Sequence, residues 1–548
     1  MHRLVTLPGS PADGAGDLIE QPPAPLLLLS SAETDLGLLA ERLRQPPWQS
    51  LEVRALNLAA LQHPAVIDHY LRSTVAAARL VLVRLLGGRG HWSYGLERLR
   101  DWAAARPGRQ LLVLSGTAEG EEDLISLGTV IPDLARALGQ ALREGGPENM
   151  DRVLHCCQGL LDGVTVTPPA VEMLPDPLPW DWRQEEGPRV GLLAYRALWS
   201  AGDTALLTEA ATALRSRGLV PRVLLVSGLR DGAVQEGVRR LLQREGVGLV
   251  LCATGFASVR ADEAAAGAPL WRALGVPVLQ LLSSGSDRER WLASSVGLGP
   301  LDLSLQVALP ELDGRITTRI VAFRELARAD ERLGCALTRH RADPEALAWV
   351  AELAARWLRL KATGPAQRRV ALVLANYPTR NARLANGVGL DTPASVALTL
   401  AGLQGSGHDL GGPDQPLPMD GDALVRALLD GRTPDPESDH LAPLARLPLA
   451  SYRAWYDSLP AAARAELERH WGPPEQDPGL NAEGFAIAGR RWGSVVVLLQ
   501  PARGYDRDPA LSYHSPDLPP THAYLAHYLW LRQTFDAHVL VHFGKHGN

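Results

Sequence analysis

Six of the 15 histidines (His514, His522, His527, His538, His542 and His546) fall within the last 35 residues of the 548-residue chain. Imidazoles gathered this densely can hold a metal ion or move a proton. Spacing sorts them. His538 and His542 share one face of a strand, but four residues at ~3.3 Å rise set them ~13 Å apart, too far for one ion. His542 at the strand end and His546 in the next loop can meet, because Gly544 and Gly547 let the backbone curl between them. His522 falls in the first turn of a helix, where the positive end of the dipole disfavours imidazolium and keeps a neutral ring for ligation or base work. His527 lies about 140° further round that helix and points elsewhere. Taken singly, each is more simply an ordinary surface or core histidine, since no helical H-x-x-x-H pair and no CxxC accompanies them.

The elements that must position these side chains read as strand, loop, helix, strand. Val495–Leu499 is a continuous aliphatic run, as in a strand covered on both faces. Pro519-Pro520-Thr521 opens a helix with Thr521 as its cap, ending near Phe535, and Ala537–Phe543 is a second strand. Ligands of open α/β sheets bind beyond the carboxyl ends of strands. Gln500, Arg503, Tyr505 and Asp508, in the loop after the first strand, are therefore expected to line one cleft with the histidines. A further strand at Val370–Ala375 precedes a loop of about 15 residues, longer than the usual connection. Its Asn376, Arg380 and Asn386 are candidates to face the same cleft; the alternative is a well-turned connection.

The fold class expected is α/β, with several doubly wound, flavodoxin-like parallel-sheet domains in tandem. Residues 1–165 form an N-terminal α/β domain with strands at Leu26–Ser30, Leu51–Leu56, Leu80–Leu86 and Gln110–Ser115. Residues 166–188 are a proline-rich linker. A flavodoxin-like domain follows at 189–300, where Asp203 or Thr204 can cap the first helix. Next comes a mixed strand and helical connecting region at 301–367, whose helical part carries Arg324, Glu325, Glu331 and Arg332 as solvated surface charges. The α/β domain at 368–548 carries the histidine cluster. Within it, residues 404–440 are rich in Gly, Pro and Asp and are expected to be mobile.

Composition removes several functions. Lys361 and Lys545 are the only lysines, and neither sits in a G-x-x-x-x-G-K-[ST] loop, so no P-loop ATPase is present in this chain. There is no G-x-S-x-G elbow. Four cysteines are too few and too irregular for a disulfide framework or zinc finger and fit a reducing cytoplasm. A net charge of −6 gives no argument for nucleic acid, and no apolar run reaches membrane-spanning length.

QPARGYDRDP, YHSPDLPPTHAYLAHYLWL and HVLVHFGKHGN resemble the signature of the CobN/magnesium chelatase large-subunit family. LVLVRLLGGRGHWSYGLE, LQVALPELDGRI and RRVALVLANYPTRNARLANGVGLDTPAS extend the resemblance over nearly the whole chain. In the family the last motif continues into a Leu-Glu-Trp-Leu-Pro-Gly run and a long further region, so the resemblance implies a C-terminally truncated chain with an incomplete site. It also implies a tetrapyrrole-binding subunit that inserts Co2+ into hydrogenobyrinic acid a,c-diamide during cobalamin biosynthesis. ATP, with Mg2+, is then used on an AAA+ ATPase subunit, and a companion subunit completes the complex. Neutral imidazoles suit Co2+, so His542 and His546 are read as ion-handling residues, with His522 as ligand or base; arginines can clamp peripheral carboxylates. The alternatives are a magnesium chelatase acting on protoporphyrin IX and a non-catalytic tetrapyrrole or metal carrier.

Overall fold

The computed structural model describes residues 18–117, 120–259, 267–376, 380–385, 389–504 and 518–544. The chain divides into two compact units, Met1–Ala355 and Arg356–Asn548. Both are α/β, built on parallel-dominated sheets with helices between the strands.

In the first unit, β1 (Leu26–Ser30), β2 (Val53–Asn57), β3 (Leu80–Leu85) and β4 (Gln110–Ser115) make a parallel sheet in the order β2-β1-β3-β4. Strand alternation sends Leu26 and Leu28 into one apolar layer with Leu36 and Leu39. It sends Leu27 and Leu29 into another with Ile67 and Tyr70, so both faces are covered.

A second sheet runs through β5 (Leu178–Trp180), β6 (Arg189–Tyr195), β7 (Val220–Val226), β8 (Leu249–Cys252), β9 (Val278–Ser284), β10 (Ile316–Asp330) and β11 (Cys335–Ala342), in the order β11-β10-β9-β8-β6-β7-β5. Its edges β5 and β11 are antiparallel to their neighbours and the interior is parallel. The proline-rich stretch thus contains a strand, and Pro179 is tolerated there because β5 lies at an edge. The stretch around Arg324 and Glu331, expected to be helical, instead supplies β10 and the turn into β11; the helix begins only at Pro344 (Pro344–Ala362). ITTRIVAFRELARAD is rich in helix formers, and pairing on both sides overrides that preference. Arg332, expected on the surface, lies in the β10–β11 turn and donates to the carbonyls of Trp48, Gln49 and Leu51. Arg315 and Asp313, both fully buried, pair at 2.5 Å beyond β8, where Arg315 also donates to the carbonyls of Thr254 and Phe256.

The second unit contains β12 (Val370–Leu374), β13 (Ala445–Leu447), β14 (Leu480–Asn481), β15 (Gly484–Ile487), β16 (Gly489–Trp492), β17 (Val495–Leu499) and β18 (Val539–Phe543). Its main sheet has the order β16-β17-β12-β18, with β17, β12 and β18 parallel and β16 antiparallel; β13, β15 and β14 form a small antiparallel sheet. Val370, Leu372 and Leu374 face Val396, Leu400, Leu424 and Leu428. Ala371 and Val373 face Tyr452, Phe485, Leu529 and Trp530. Residues 404–440 hold a helix, Gly421–Leu429, whose cap Asp420 accepts from the Ala423 amide at 2.8 Å. Among the described residues no helix is long and apolar enough to cross a membrane.

Candidate functional site

β12 lies between β17 and β18, so the chain connections diverge to either side of it, the switch-point arrangement at which open α/β sheets bind ligands. The register pairs Leu374 with both Leu499 and Phe543. The Gln500 amide donates to the Leu374 carbonyl at 3.0 Å, and the Ala375 amide to that of Phe543 at 2.8 Å. The segments starting at Asn376, Gln500 and Gly544 therefore leave the sheet along one edge, as the sequence anticipates.

At that edge Gln500 is buried, and its Nε2 donates to the phenol oxygens of Tyr524 at 2.9 Å and Tyr528 at 2.8 Å. The two tyrosines are one turn apart on the helix His522–Gln533, with ring centroids 5.1 Å apart. Tyr528 also lies 5.8 Å from the His542 ring and 5.3 Å, edge-on, from His527. Gln500 and His542, both candidates from the sequence, thus meet through Tyr528. Sequence reasoning names neither tyrosine as a candidate and turns His527 away. The overlooked signal is the i, i+4 tyrosine pair, whose hydroxyls need partners when half-buried.

His542 projects from β18 on the opposite face to Val541 and Phe543, which join the other core layer. The residue is exposed, yet desolvation on its packed side pulls its proton affinity below the ordinary imidazole value, so the ring is neutral, with a lone pair, at neutral pH. His527 is almost wholly buried, with Nε2 lacking a hydrogen-bond partner among the described residues. Burial foremost, then nearby His542, pull its proton affinity down to about 3.

His522 departs from expectation. Thr521 does cap the helix, accepting from the Tyr524 amide at 3.2 Å. The His522 ring, however, is buried against Tyr452 and Tyr456. Its Nε2 contacts the Gly472 carbonyl at 2.9 Å and its Nδ1 the Tyr452 hydroxyl at 2.8 Å. A carbonyl can only accept, so Nε2 carries the hydrogen and Nδ1 accepts from Tyr452. No lone pair remains for a metal ion or a proton, and His522 is a structural pin here. His538 is likewise engaged, its Nδ1 accepting from the Arg369 amide at 3.0 Å.

Asn376 is buried; its Oδ1 accepts from the Ala385 amide at 3.3 Å, and its Nδ2 has no partner among the described residues. Arg380 is exposed beside a turn fixed by the buried Asp435, which accepts from the Asn381 amide at 2.8 Å. Arg503 is half-buried in the loop after β17. Trp471 borders that loop: its indole donates to the Pro519 carbonyl at 2.8 Å, and a Cβ on Gly504 (φ +113°) would come within 2.4 Å of its ring. Asn386, Tyr505, Asp508 and His546 lie outside the described residues. Among the described residues no three His, Cys, Asp or Glu side chains converge on a possible metal position.

The end of the sheet where β17, β12 and β18 stop thus brings the Gln500 amide, the phenols of Tyr524 and Tyr528 and the His542 imidazole together in an α/β protein. The chain belongs to the CobN/magnesium chelatase family, whose model matches residues 140–548. It is 40% identical over its whole length to the aerobic cobaltochelatase subunit CobN of Pseudomonas aeruginosa and 37% identical to that of a Sinorhizobium species. In each case it covers 44% of the relative, so the chain spans less than half the length of these proteins. A magnesium-chelatase subunit of Rhodobacter capsulatus is 28% identical over 65% of the chain and 30% of that protein. Among solved structures, the catalytic subunit of cobaltochelatase from Mycobacterium tuberculosis superposes with a TM-score of 0.72 at 32% identity, over 96% of this chain and 43% of that one.

Proposed function

We propose that the chain forms the tetrapyrrole-binding part of the large subunit of an ATP-dependent cobaltochelatase, which inserts Co2+ into hydrogenobyrinic acid a,c-diamide. The observation that carries this reading is that β12, β17 and β18 end together at one side of the sheet, with His542 on the last of them. Insertion requires the ion to shed water, the ring nitrogens to lose protons and the ring to bend. An imidazole neutral at physiological pH can hold the ion or take a proton. His546 is its proposed partner. Gln500, Arg503, Tyr505, Asp508, Asn376, Arg380 and Asn386 line the macrocycle cleft, the arginines pairing with peripheral carboxylates. His522 has no part in ion handling in this reading.

With no P-loop in the chain, ATP is hydrolysed with Mg2+ on an AAA+ ATPase subunit, and a companion subunit joins the complex. The free cysteines fit a cytoplasmic setting. Greater similarity to cobaltochelatase subunits than to magnesium-chelatase subunits favours the corrinoid over protoporphyrin IX. Spectral titration with the corrinoid, with and without the ATPase partners, tests the reading. The His542→Ala, His546→Ala double variant is expected to abolish insertion and keep macrocycle binding. If that variant still inserts cobalt at the parental rate, the ion assignment is wrong.

A further inference from the structure

Gln500 gives both contacts of its amide nitrogen to phenol oxygens, so Tyr524 and Tyr528 are acceptors toward it. A phenol that accepts from a neighbour keeps its own proton for another acceptor. Neither tyrosine can direct its proton back at Gln500, and the two phenols also bond each other, so one proton lies within the pair and one is left for another acceptor. The amide nitrogen of Asn376, just past the central strand at the same edge, is a second buried donor without a partner among the described residues. Buried polar groups with unused hydrogen-bonding capacity are rare in folded proteins and call for a ligand or ordered water.

We infer that the hydrogen-bonded pair Tyr524 and Tyr528, oriented by Gln500, forms a clamp that presents one phenol donor to a carbonyl oxygen on the periphery of the bound macrocycle, supplied by a carboxylate or carboxamide arm. The inference rests on the macrocycle-binding reading above and specifies what holds the ring's edge. It separates two tasks on one short stretch: the phenols orient the ring through its arms, and His542, packed beside Tyr528, faces the ion.

The test is absorbance titration of the 548-residue chain and its Tyr524→Phe, Tyr528→Phe and double variants. The ligands are hydrogenobyrinic acid a,c-diamide, its fully amidated derivative, and octaethylporphyrin in detergent as a ring without oxygen-bearing arms. Loss of either phenol or of both should weaken the a,c-diamide by roughly 2- to 10-fold, from the net worth of one hydrogen bond. Octaethylporphyrin should bind parent and variants alike, and this comparison within each variant corrects for any loss of folded protein. An undiminished effect with the amidated ligand identifies a carboxamide oxygen as acceptor; an effect confined to the acid identifies a carboxylate. Parental affinity of the double variant for the a,c-diamide would overturn the clamp and leave the macrocycle reading intact. Failure of the parent chain to bind any of the three rings would overturn that reading, and the clamp with it.

Discussion

Replacing His527 with Phe should make the helix His522–Gln533 more resistant to acid. His527 is 1% exposed and its Nε2 meets no partner among the described residues. Its proton affinity falls from 6.5 to about 3, chiefly through burial. Below pH 6.5 the unfolded chain takes up a proton here that the folded site refuses until about pH 3. Protons therefore favour unfolding across that window, and the contribution to stability is lost as pH falls through it. Each pH unit in the window costs up to ~1.4 kcal/mol, so moving from neutrality to about pH 4.5, two units into it, costs at most ~2.7 kcal/mol. Phenylalanine fills similar space and carries no proton site. At neutral pH the variant should gain about 1 kcal/mol from removing an unsatisfied buried nitrogen, offset by any misfit of the larger ring. The difference in slope is independent of that offset. Hydrogen-exchange mass spectrometry on peptides covering the helix, in metal-free buffer at about pH 7, 5.5 and 4.5, reads its opening free energy in both proteins. Intrinsic exchange rates cancel in the comparison. If parent and His527→Phe lose protection equally between pH 7 and 4.5, the buried neutral imidazole is not the source of acid sensitivity.

Removing the His522 ring by His522→Ala strands the Tyr452 hydroxyl and the Gly472 carbonyl, and should destabilise the second unit by about 2–4 kcal/mol. Co2+ binding per folded molecule should be unchanged, as read by isothermal titration beside a urea melt; a selective loss of cobalt affinity would restore His522 to the ion site. In the first unit, Arg315→Met leaves the fully buried Asp313 without its cation and should cost about 3–5 kcal/mol. An Asp313→Asn, Arg315→Met double variant should recover part of that loss in thermal denaturation, and equal instability of both variants would deny the pair its role.

Much of this architecture is visible in the chain because its strands are short, aliphatic and covered on both faces. Leu26–Ser30, Gln110–Ser115, Arg189–Tyr195 and Val495–Leu499 appear in the structure with the bounds expected for them. The ITTRIVAFRELARAD segment differs because residue preference there favours a helix. The partners that make it β10 lie well upstream at Val278–Ser284 and just after it at Cys335–Ala342. Asp203, one of two residues expected to cap the helix seen at Ala205–Arg215, instead pairs with His340 at 2.6 Å, a partner 137 residues distant. Local capping rules cannot weigh so remote a competitor.

The same limit explains the two helical histidines, and it bears on where the ion chemistry sits. His522 and His527 are five residues apart on one helix, and periodicity gives them different faces but cannot say what either face meets. His522 enters a pocket whose hydroxyl and carbonyl use both ring nitrogens, so both are occupied. His527 is buried beside Tyr528 without a partner for Nε2 among the described residues, which leaves it neutral and unable to hold a proton near physiological pH. Of the three imidazoles, His542 alone has solvent access. Under the proposed function, proton uptake would then fall to the sheet edge, and the helix would hold the frame around it.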